Sequence, residues 1–284
     1  MKLISFSLFS HNDDIKSFET FLEYFSINIR AYKVLFPSWK IYLHLEDKMY
    51  DLYKEYFDFL KENDIIDFSI KKGKTLCENM LWRMETIGDY VISRDVDSLP
   101  TYRERQAVEI WIRNNTLMHS ISDNKEHNAI FMGGMIGYKR NTFDISKDLK
   151  TAIKNTNIDF KIKGSDQVFL GKTFQKVFHI DNGLTHHILK EGLTIEKIKW
   201  QIEDNSKILK LQYLYNYIED INIEDIDVSL KKTNEFNYIG KAMQDYTEQE
   251  KIDIYNFYIN NVDESLNKKL LEIESSMSVF KNYF

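Results

Sequence analysis

Two carboxylates stand one residue apart just after a short strand-like segment. Asp95 and Asp97 follow Tyr90–Ser93, and Ser98-Leu99-Pro100 then turns the chain away. Two carboxylates at this spacing can hold a divalent cation, and the cation can in turn hold a diphosphate. Open α/β sheets bind their ligands at the carboxyl ends of the strands, so this position favours a functional pair over two surface acids.

A second pair with the same spacing shows that the pattern alone decides little. Asp225 and Asp227 lie in a polar run with no strand-like segment before them. Short motifs of this kind arise by chance, so the structural context must support them. We interpret the second pair as part of a solvated surface segment.

The composition limits the possible classes of protein. The 284 residues, 43% of them hydrophobic, can form one large domain or one domain with a helical annex. No apolar run reaches the ~18 residues of a membrane span. The net charge of -6 disfavours broad nucleic-acid binding. A single cysteine, Cys77, excludes an internal disulfide framework and favours the cytoplasm, or the host cytoplasm for a viral chain. Abundant Ile, Lys and Asn suggest an AT-rich genome, as in a virus, a phage or an AT-rich microbe.

The first half of the chain alternates between strand and helix patterns. Strands are predicted over Lys2–Phe9, Trp39–Leu45, Ile65–Ile70, Tyr90–Ser93, Leu117–Ile121 and Ile130–Tyr138, and helices over Phe18–Tyr32, Lys48–Lys61, Glu78–Ile87 and Thr101–Asn114. This order predicts an α/β fold with a mainly parallel sheet flanked by helices. From about Lys190 the spacing predicts a mostly helical C-terminal region, so we expect domains at 1–190 and 191–284.

Several residues near the aspartates have two interpretations each. A guanidinium matches the geometry of an oxyanion, so Arg83 and Arg94 could each contact a phosphate or sugar. Arg94 could equally neutralise the acids, and Arg83 could form an ion pair under the sheet. Gly133 and Gly134 lie inside a predicted strand, where glycine marks either the close approach of a ligand or tight packing.

Further along the chain, Asp166 and Gln167 open a predicted helix. Asp166 is a candidate general base for an acceptor hydroxyl, and the alternative is a helix N-cap. Asp123 lies between His119 and His127, within nine positions. This spacing matches none of the short zinc patterns, and a lone histidine is more often structural.

The ordered set of motifs resembles the nucleotide-sugar glycosyltransferases of the GT-A fold, in particular a bacterial and viral glycosyltransferase-like group. The resemblance covers roughly residues 2 to 182 and a patch near 238. It is carried by Ile4-Ser-Phe-Ser-Leu8, Pro37-Ser38-Trp39, Leu81-Trp-Arg83, Arg94-Asp-Val-Asp-Ser98, Arg103-Glu104, Ala107-Val108, Trp111-Ile112, His119, Asp123, His127, Gly133-Gly-Met-Ile-Gly137, Gly164-Ser-Asp-Gln-Val-Phe-Leu170 and Tyr238-Ile-Gly240. The chain departs from the group at Ser122-Asp123-Asn124 and at Phe178-His-Ile-Asp181.

The resemblance implies a set of roles for these residues. Asp97 would bind Mn²⁺ or Mg²⁺, and Asp95 the metal and the nucleotide ribose. The metal would stabilise the charge of the departing diphosphate. The third metal ligand would come from His179, His186 or His187, with His179 ranked first, and Asp123 would be the next candidate base after Asp166. The predicted donor contacts are Arg83, Arg94, Asp95, Gly133, Gly134, Gln167 and Lys241.

The implied function is metal-dependent sugar transfer from a nucleotide-sugar, with a UDP-sugar as the expected donor. The acceptor hydroxyl could belong to a glycan, a protein, a lipid-linked sugar or, in a virus, a modified DNA base, which the acidic balance disfavours. A nucleotidyltransferase is an alternative, but Phe9–Asp13 contains no glycine for a phosphate loop. A non-catalytic binding protein is another alternative, which the intact aspartate pair opposes. The oligomeric state stays open.

Overall fold

The computed structural model describes residues 1–11, 13–115, 118–122, 131–140, 145–178, 199–202, 208–212 and 240–280. The strands are β1 (Lys2–Leu8), β2 (Lys40–Glu46), β3 (Ile66–Lys71), β4 (Tyr90–Arg94), β5 (Met118–Ser122), β6 (Met135–Lys139), β7 (Lys199–Ile202) and β8 (Ile208–Gln212). The α-helices are α1 (Ile15–Leu35), α2 (Asp47–Leu52), α3 (Lys54–Glu62), α4 (Leu76–Met80), α5 (Tyr102–Asn114), α6 (Ile145–Lys154), α7 (Ser165–Phe178), α8 (Glu248–Asn261) and α9 (Glu264–Ser275). Short 3-10 helices cover Leu81–Glu85, Met243–Asp245 and Ser278–Phe280.

All the described strands belong to one sheet, in the order β3-β2-β1-β4-β6-β5-β8-β7. The first four in this order run parallel to one another, as do β5 and β8. Strand β6 is antiparallel to both of its neighbours, and β7 is antiparallel to β8. The predicted α/β fold with a mainly parallel sheet flanked by helices is therefore confirmed. Strands β1, β2 and β4 end at the same edge, which contains Asp95 and Asp97.

Each face of the sheet buries its own hydrophobic cluster because successive strand residues point to opposite sides. In β1, Ile4 and Phe6 belong to the cluster with α1, α5, α8 and α9. Leu3 belongs to the other cluster, which includes residues of α4, α6 and α7. On that second face β1 carries the small residues Ser5 and Ser7, which leave room for the 3-10 helix Leu81–Glu85 to lie close against the strand.

The C-terminal helices α8 and α9 pack on α1, on the first face. Arg30 of α1 and Glu274 of α9 form a buried ion pair of 2.7 Å, with Ser26 beside it. A buried pair of this kind is costly to break by removing one partner. It fixes the C-terminal helices onto the sheet domain. Among the described helices, none is both long and apolar enough to cross a bilayer.

Several element boundaries differ from those predicted. The segment Lys48–Lys61 forms two helices, α2 and α3, separated at Tyr53. Strand β6 begins only at Met135, so Gly133 and Gly134 lie in the turn before it. Strands β7 and β8 occur within the stretch where helical spacing was predicted, because short Ile/Leu runs fit either period. Helices α8 and α9 agree with the prediction.

Candidate active site at the carboxyl edge of the sheet

The turn that carries Asp95 and Asp97 is held through its backbone from two sides. Asn28 of α1 donates a hydrogen bond from Nδ2 to the carbonyl of Val96, at 2.6 Å. From the C-terminal segment, Met243 donates its backbone N–H to the carbonyl of Asp97, at 2.5 Å. These bonds satisfy the turn's carbonyls and fix where its carboxylates stand. The position predicted for the pair, at the end of a strand, is where the structure places it.

Arg83 is positioned by strand β1. The hydroxyl of Ser7 accepts the backbone N–H of Arg83 at 2.9 Å, and the hydroxyl of Ser5 donates to the Arg83 carbonyl at 2.8 Å. The guanidinium forms an ion pair from Nη1 to Asp95 Oδ1, and the two side chains are 5% and 35% exposed. Arg83 Nη1 also donates to the carbonyl of Arg94 at 3.3 Å. Of the two interpretations for Arg83, the ion pair is present in this structure.

Gly133 and Gly134 make room for this ion pair. A Cβ on Gly134 would lie 1.7 Å from Asp95 Oδ2, and one on Gly133 would lie 2.7 Å from Arg83 Nη2. Ser93 donates a 2.7 Å hydrogen bond to the Gly133 carbonyl and holds the turn in place. The close approach predicted at these glycines is therefore made by side chains of the site itself. Neither glycine lines the adjoining cavity.

Arg94 lies on the other face of the sheet, which corrects the prediction that it contacts the donor. Its Nε donates to Glu104 Oε1 at 2.6 Å, its Nη1 donates to the carbonyl of Ile136 at 3.0 Å, and the residue is 2% exposed. The strand alternation that directs Asp95 to the cleft directs the preceding residue away from it. Thr101 caps α5 by accepting the N–H of Glu104, whose carboxylate binds Arg94.

Asp166 and Gln167 lie in the first turn of α7 and line the cleft. Asp166 is 2% exposed. Burial raises the pKa of the Asp166 carboxyl, the positive charge of Arg83 opposes the shift, and the negative charge of Asp95 adds to it. The backbone amides of Asp166 and Gln167 also oppose the rise of this pKa. Because α7 begins at Ser165, Asp166 lies inside the first turn and is not the N-cap residue, and it faces the cleft.

Asp97 is surrounded by negative charge. Burial, the charge of Asp95 and the charge of Asp245 together raise the pKa of Asp97 to about 6, against the opposing charge of Arg83. Asp245 lies in the 3-10 helix of the C-terminal segment. Asp245 was not among the predicted site residues, because nothing local in the sequence indicates that residue 245 approaches residue 97. A divalent cation would compensate this crowding, so the carboxylates fit a hard cation completed by water and phosphate oxygens.

One cavity of about 560 Å³ is bordered by the aspartate pair, by Arg83 and by the first turn of α7, and its size is typical of small-molecule sites. Its lining includes Phe9, His11, Phe21, Arg83, Asp95, Asp97, Lys163, Gly164, Asp166, Gln167, Gly240, Ala242 and Gln244. The first three come from the end of β1 and from α1, and the last three from the C-terminal segment. We call this cavity the aspartate cleft.

An aromatic wall of Phe9, His11 and Phe21 forms part of the cleft lining. The ring of His11 stacks on Phe9 with 5.6 Å between centroids and lies 5.2 Å from Phe21. Burial lowers the pKa of His11, and the charge of Lys163 lowers it further, against the opposing charge of Asp14. Sequence reasoning did not select His11 or Lys163. Their signals were the position of His11 just after the first strand and that of Lys163 before the glycine that opens α7.

The remaining candidates have separate outcomes. The Lys241 ammonium lies 3.9 Å from the ring centroid of Tyr246, while its neighbours Gly240 and Ala242 line the cleft. His119 is buried and stacks on Trp111 at 4.6 Å, where its burial lowers its pKa well below the usual value. It belongs to the core and not to a site.

Asp123, His127 and His179 lie outside the described residues. Within the described residues, no cluster of three or more metal-ligating side chains is present.

No family model and no curated protein matches the chain. Among solved structures, the mannosyltransferase PcManGT from Pyrobaculum calidifontis, in complex with GDP-Man and Mn²⁺, aligns over 98% of this chain and 70% of its own, with 9% identity and a TM-score of 0.39. Residues 1–349 of TarS from S. aureus align over 99% of this chain and 73% of their own, with 8% identity and a TM-score of 0.39. Similarity at this level does not decide a function, which must rest on the cleft.

Proposed function

We propose that the protein is a metal-dependent glycosyltransferase that moves a sugar from a nucleoside diphosphate sugar to an acceptor hydroxyl. The observation that carries this proposal is the meeting of Asp95, Asp97, Asp166 and Arg83 in one cleft at the carboxyl edge of a parallel sheet. Two acids suit a divalent cation, an arginine suits a phosphate, and a separate buried acid suits an acceptor proton. GT-A glycosyltransferases use this combination, which agrees with the resemblance found in the sequence.

The reaction divides among these side chains. Asp97 and Asp95 would hold Mn²⁺ or Mg²⁺, which when bound stabilises the negative charge of the departing diphosphate. Arg83 would bind a phosphate oxygen through its planar guanidinium. Gln167, at the start of α7, would orient the sugar with its amide. The aromatic wall of Phe9, His11 and Phe21 would help exclude water from the cleft.

Asp166 would act as the general base. Its carboxylate takes the proton from the acceptor hydroxyl while the acceptor oxygen forms a bond to the anomeric carbon. The bond from that carbon to the phosphate oxygen breaks, and the nucleoside diphosphate leaves. This arrangement inverts the anomeric configuration. The raised pKa of Asp166 favours its role as a proton acceptor, because a weakly basic carboxylate has little affinity for the proton it must take.

The C-terminal region would complete the cleft. We propose the division into 1–190 and 191–284 as the catalytic domain and an annex packed on it, with Gly240–Gln244 supplying one wall. A UDP-sugar is the first donor to test, and the cleft lining does not select among sugars. The acceptor would approach from the side of α7, because Asp166 lies there.

A panel of nucleoside diphosphate sugars tests this function. With Mn²⁺ and mixtures of hydroxyl acceptors, we expect one donor to release its nucleoside diphosphate, and EDTA to stop the release. Release of pyrophosphate with transfer of a nucleoside monophosphate would instead indicate a nucleotidyltransferase. Tight Mn²⁺-dependent binding without turnover would indicate a binding protein. Absence of nucleotide binding across the panel would overturn the proposal.

A further inference from the structure

The two oxygens of Asp95 have different surroundings. Oδ1 accepts from Arg83 Nη1, and Oδ2 lies in the space that a Cβ on Gly134 would occupy, 1.7 Å from that position. Both oxygens of a carboxylate carry lone pairs, so Asp95 can still take a cation, but that cation competes with the nearby Arg83 guanidinium for one negative charge. The ion pair therefore holds the carboxylate in place and also lowers its affinity for a metal.

When Arg83 loses Asp95, its guanidinium cannot turn out of the cleft into water. Its backbone is bound on both sides by Ser5 and Ser7, and its side chain is 5% exposed. Its Nε has no hydrogen-bond partner among the described residues. A buried guanidinium that loses its carboxylate leaves an uncompensated charge, which is strongly unfavourable. A second anion is then required beside Arg83.

The geometry points to an exchange of ionic partners at Arg83. In the resting protein Arg83 neutralises Asp95. A divalent cation takes the carboxylate, and the released guanidinium binds the diphosphate of the donor. The cation and the diphosphate therefore each favour the binding of the other through Arg83, in addition to their direct contact, and the coupling is reciprocal. This inference rests on the proposed function for its donor, but its test uses neither sugar nor nucleotide.

The metal arm of the test measures Mn²⁺ alone, by the electron paramagnetic resonance signal of the free ion. Arg83→Met removes the competitor for Asp95, so it should bind Mn²⁺ about tenfold more tightly than the wild type. The matched control is Lys163→Met. Lys163 lines the same cleft, and no contact found among the described residues joins it to Asp95. The control removes one positive charge without breaking the ion pair. If both variants gain the same Mn²⁺ affinity, the cause is the loss of any positive charge in the cleft, and the proposed exchange is overturned.

The anion arm measures inorganic pyrophosphate in EDTA, by calorimetry. Asp95→Asn releases Arg83 and should tighten metal-free pyrophosphate binding by about tenfold relative to the wild type. Asp97→Asn is the control, since it removes a neighbouring negative charge but leaves the Arg83–Asp95 pair intact. If Asp95→Asn gains no more affinity for pyrophosphate than Asp97→Asn does, the proposed exchange is wrong.

Folding is checked by near-ultraviolet circular dichroism for every variant. Arg83 is buried, so Arg83→Met is the variant most at risk of misfolding, whereas Asp95 is partly exposed and its asparagine variant keeps the side-chain shape. The anion arm alone can therefore decide the matter. If the protein turns over no nucleotide-sugar but the variants show the expected gains in Mn²⁺ and pyrophosphate affinity, the proposed function is wrong and the exchange of partners at Arg83 stands.

Discussion

Two cavities of similar volume differ in how their charges are compensated. The aspartate cleft measures about 560 Å³, and a groove on the open face of β2 and β3 measures about 600 Å³. The groove is lined by Lys40, Tyr42, His44, Lys61, Asp64, Asp67, Ser69, Lys71, Glu85 and Thr86, among others. We call it the β2–β3 groove. Volume does not distinguish the two.

Every lysine of the β2–β3 groove has an acidic partner there. The pairs are Lys40–Asp64 at 3.1 Å, Lys61–Asp67 at 3.1 Å and Lys71–Glu85 at 2.8 Å. His44 is also satisfied, by Ser69 at 2.9 Å and Thr86 at 2.8 Å. In the aspartate cleft, by contrast, the charge of Asp95 raises the pKa values of both Asp97 and Asp166, although Arg83 pairs with Asp95. An excess of one sign of charge, and not the size of a cavity, indicates where a charged ligand would bind.

The groove nevertheless supports the cleft. The hydroxyl of Thr86, which contacts His44, lies 2.6 Å from the hydroxyl of Ser5, and Ser5 donates to the carbonyl of Arg83. A row of buried polar groups thus runs from the groove to the backbone of the cleft's arginine. The comparison predicts large functional effects in the cleft, and effects on stability alone in the groove.

The largest effect on nucleotide binding is expected at Asp97. Asp97→Asn keeps the shape of the side chain but removes a charged metal ligand. Mn²⁺-dependent nucleotide binding should weaken by at least about 100-fold, the upper end of the cost of losing a group that only supports a metal ligand. Calorimetry with and without Mn²⁺ measures this. If the variant binds nucleotide with the affinity of the wild type, Asp97 is not a metal ligand.

Asp166 should affect turnover more than binding. Asp166→Asn keeps the size and shape of the side chain and removes its charge and its ability to take a proton. Turnover should fall by roughly 10²–10⁴, as for a positioned acid-base group, with donor affinity nearly unchanged. Nucleoside diphosphate release in the presence of acceptor is the measurement. Activity close to the wild type would leave Asp166 as a structural residue of the helix start.

Gly134 should matter through Asp95. The Cβ of Gly134→Ala would overlap Asp95 Oδ2, so the carboxylate must move. Mn²⁺-dependent nucleotide affinity should fall by about tenfold, as when a supporting partner of a metal ligand is lost. Gly171→Ala is the matched control, because a Cβ at Gly171 meets no atom within 4 Å. If the two variants bind alike, Gly134 does not position Asp95.

In the β2–β3 groove, His44 should affect stability in a pH-dependent manner. Burial lowers the pKa of His44 to about 3, whereas the unfolded chain has the usual value of 6.5. Below pH 6.5 the unfolded state therefore takes up a proton that the folded state does not, and the stability falls as the pH falls. The loss at pH 5 is about 2 kcal/mol.

Urea unfolding at pH 7 and pH 5 measures this effect. His44→Gln has no imidazole to titrate, so its free energy of unfolding should change less between the two pH values. Transfer at pH 7 should continue in this variant if it folds, because His44 does not line the aspartate cleft. A pH dependence identical to that of the wild type would exclude His44 as its source.

The smallest effect is expected at the rim of the groove. Lys40 and Asp64 form an exposed ion pair. Lys40→Gln should change the free energy of unfolding by no more than about 0.5 kcal/mol and leave transfer unaltered, because exposed pairs contribute little. A loss of transfer in Lys40→Gln would show that the β2–β3 groove takes part in function and would end the contrast between the two cavities.

The sequence by itself determined the features that depend on neighbouring residues. Short apolar segments followed by polar residues predicted β1 and β4, and with them the strand end where Asp95 and Asp97 stand. The start of α7 beside Asp166 was also predictable, since helix starts have local signals. Local alternation could also have assigned Arg94 and Asp95 to opposite faces, because adjacent strand residues point in opposite directions.

Only the tertiary structure decided which distant residues meet. Arg83 reaches Asp95 because Ser5 and Ser7 let its short helix lie against β1. The need for glycine at 134 arises from the Asp95 carboxylate, and the presence of Asp245 near Asp97 arises from a segment some 150 residues away. Such contacts depend on how the elements pack around the sheet, and no local pattern of residue types encodes them. For the same reason, the charge imbalance that sets the aspartate cleft apart from the β2–β3 groove became visible only in the folded chain.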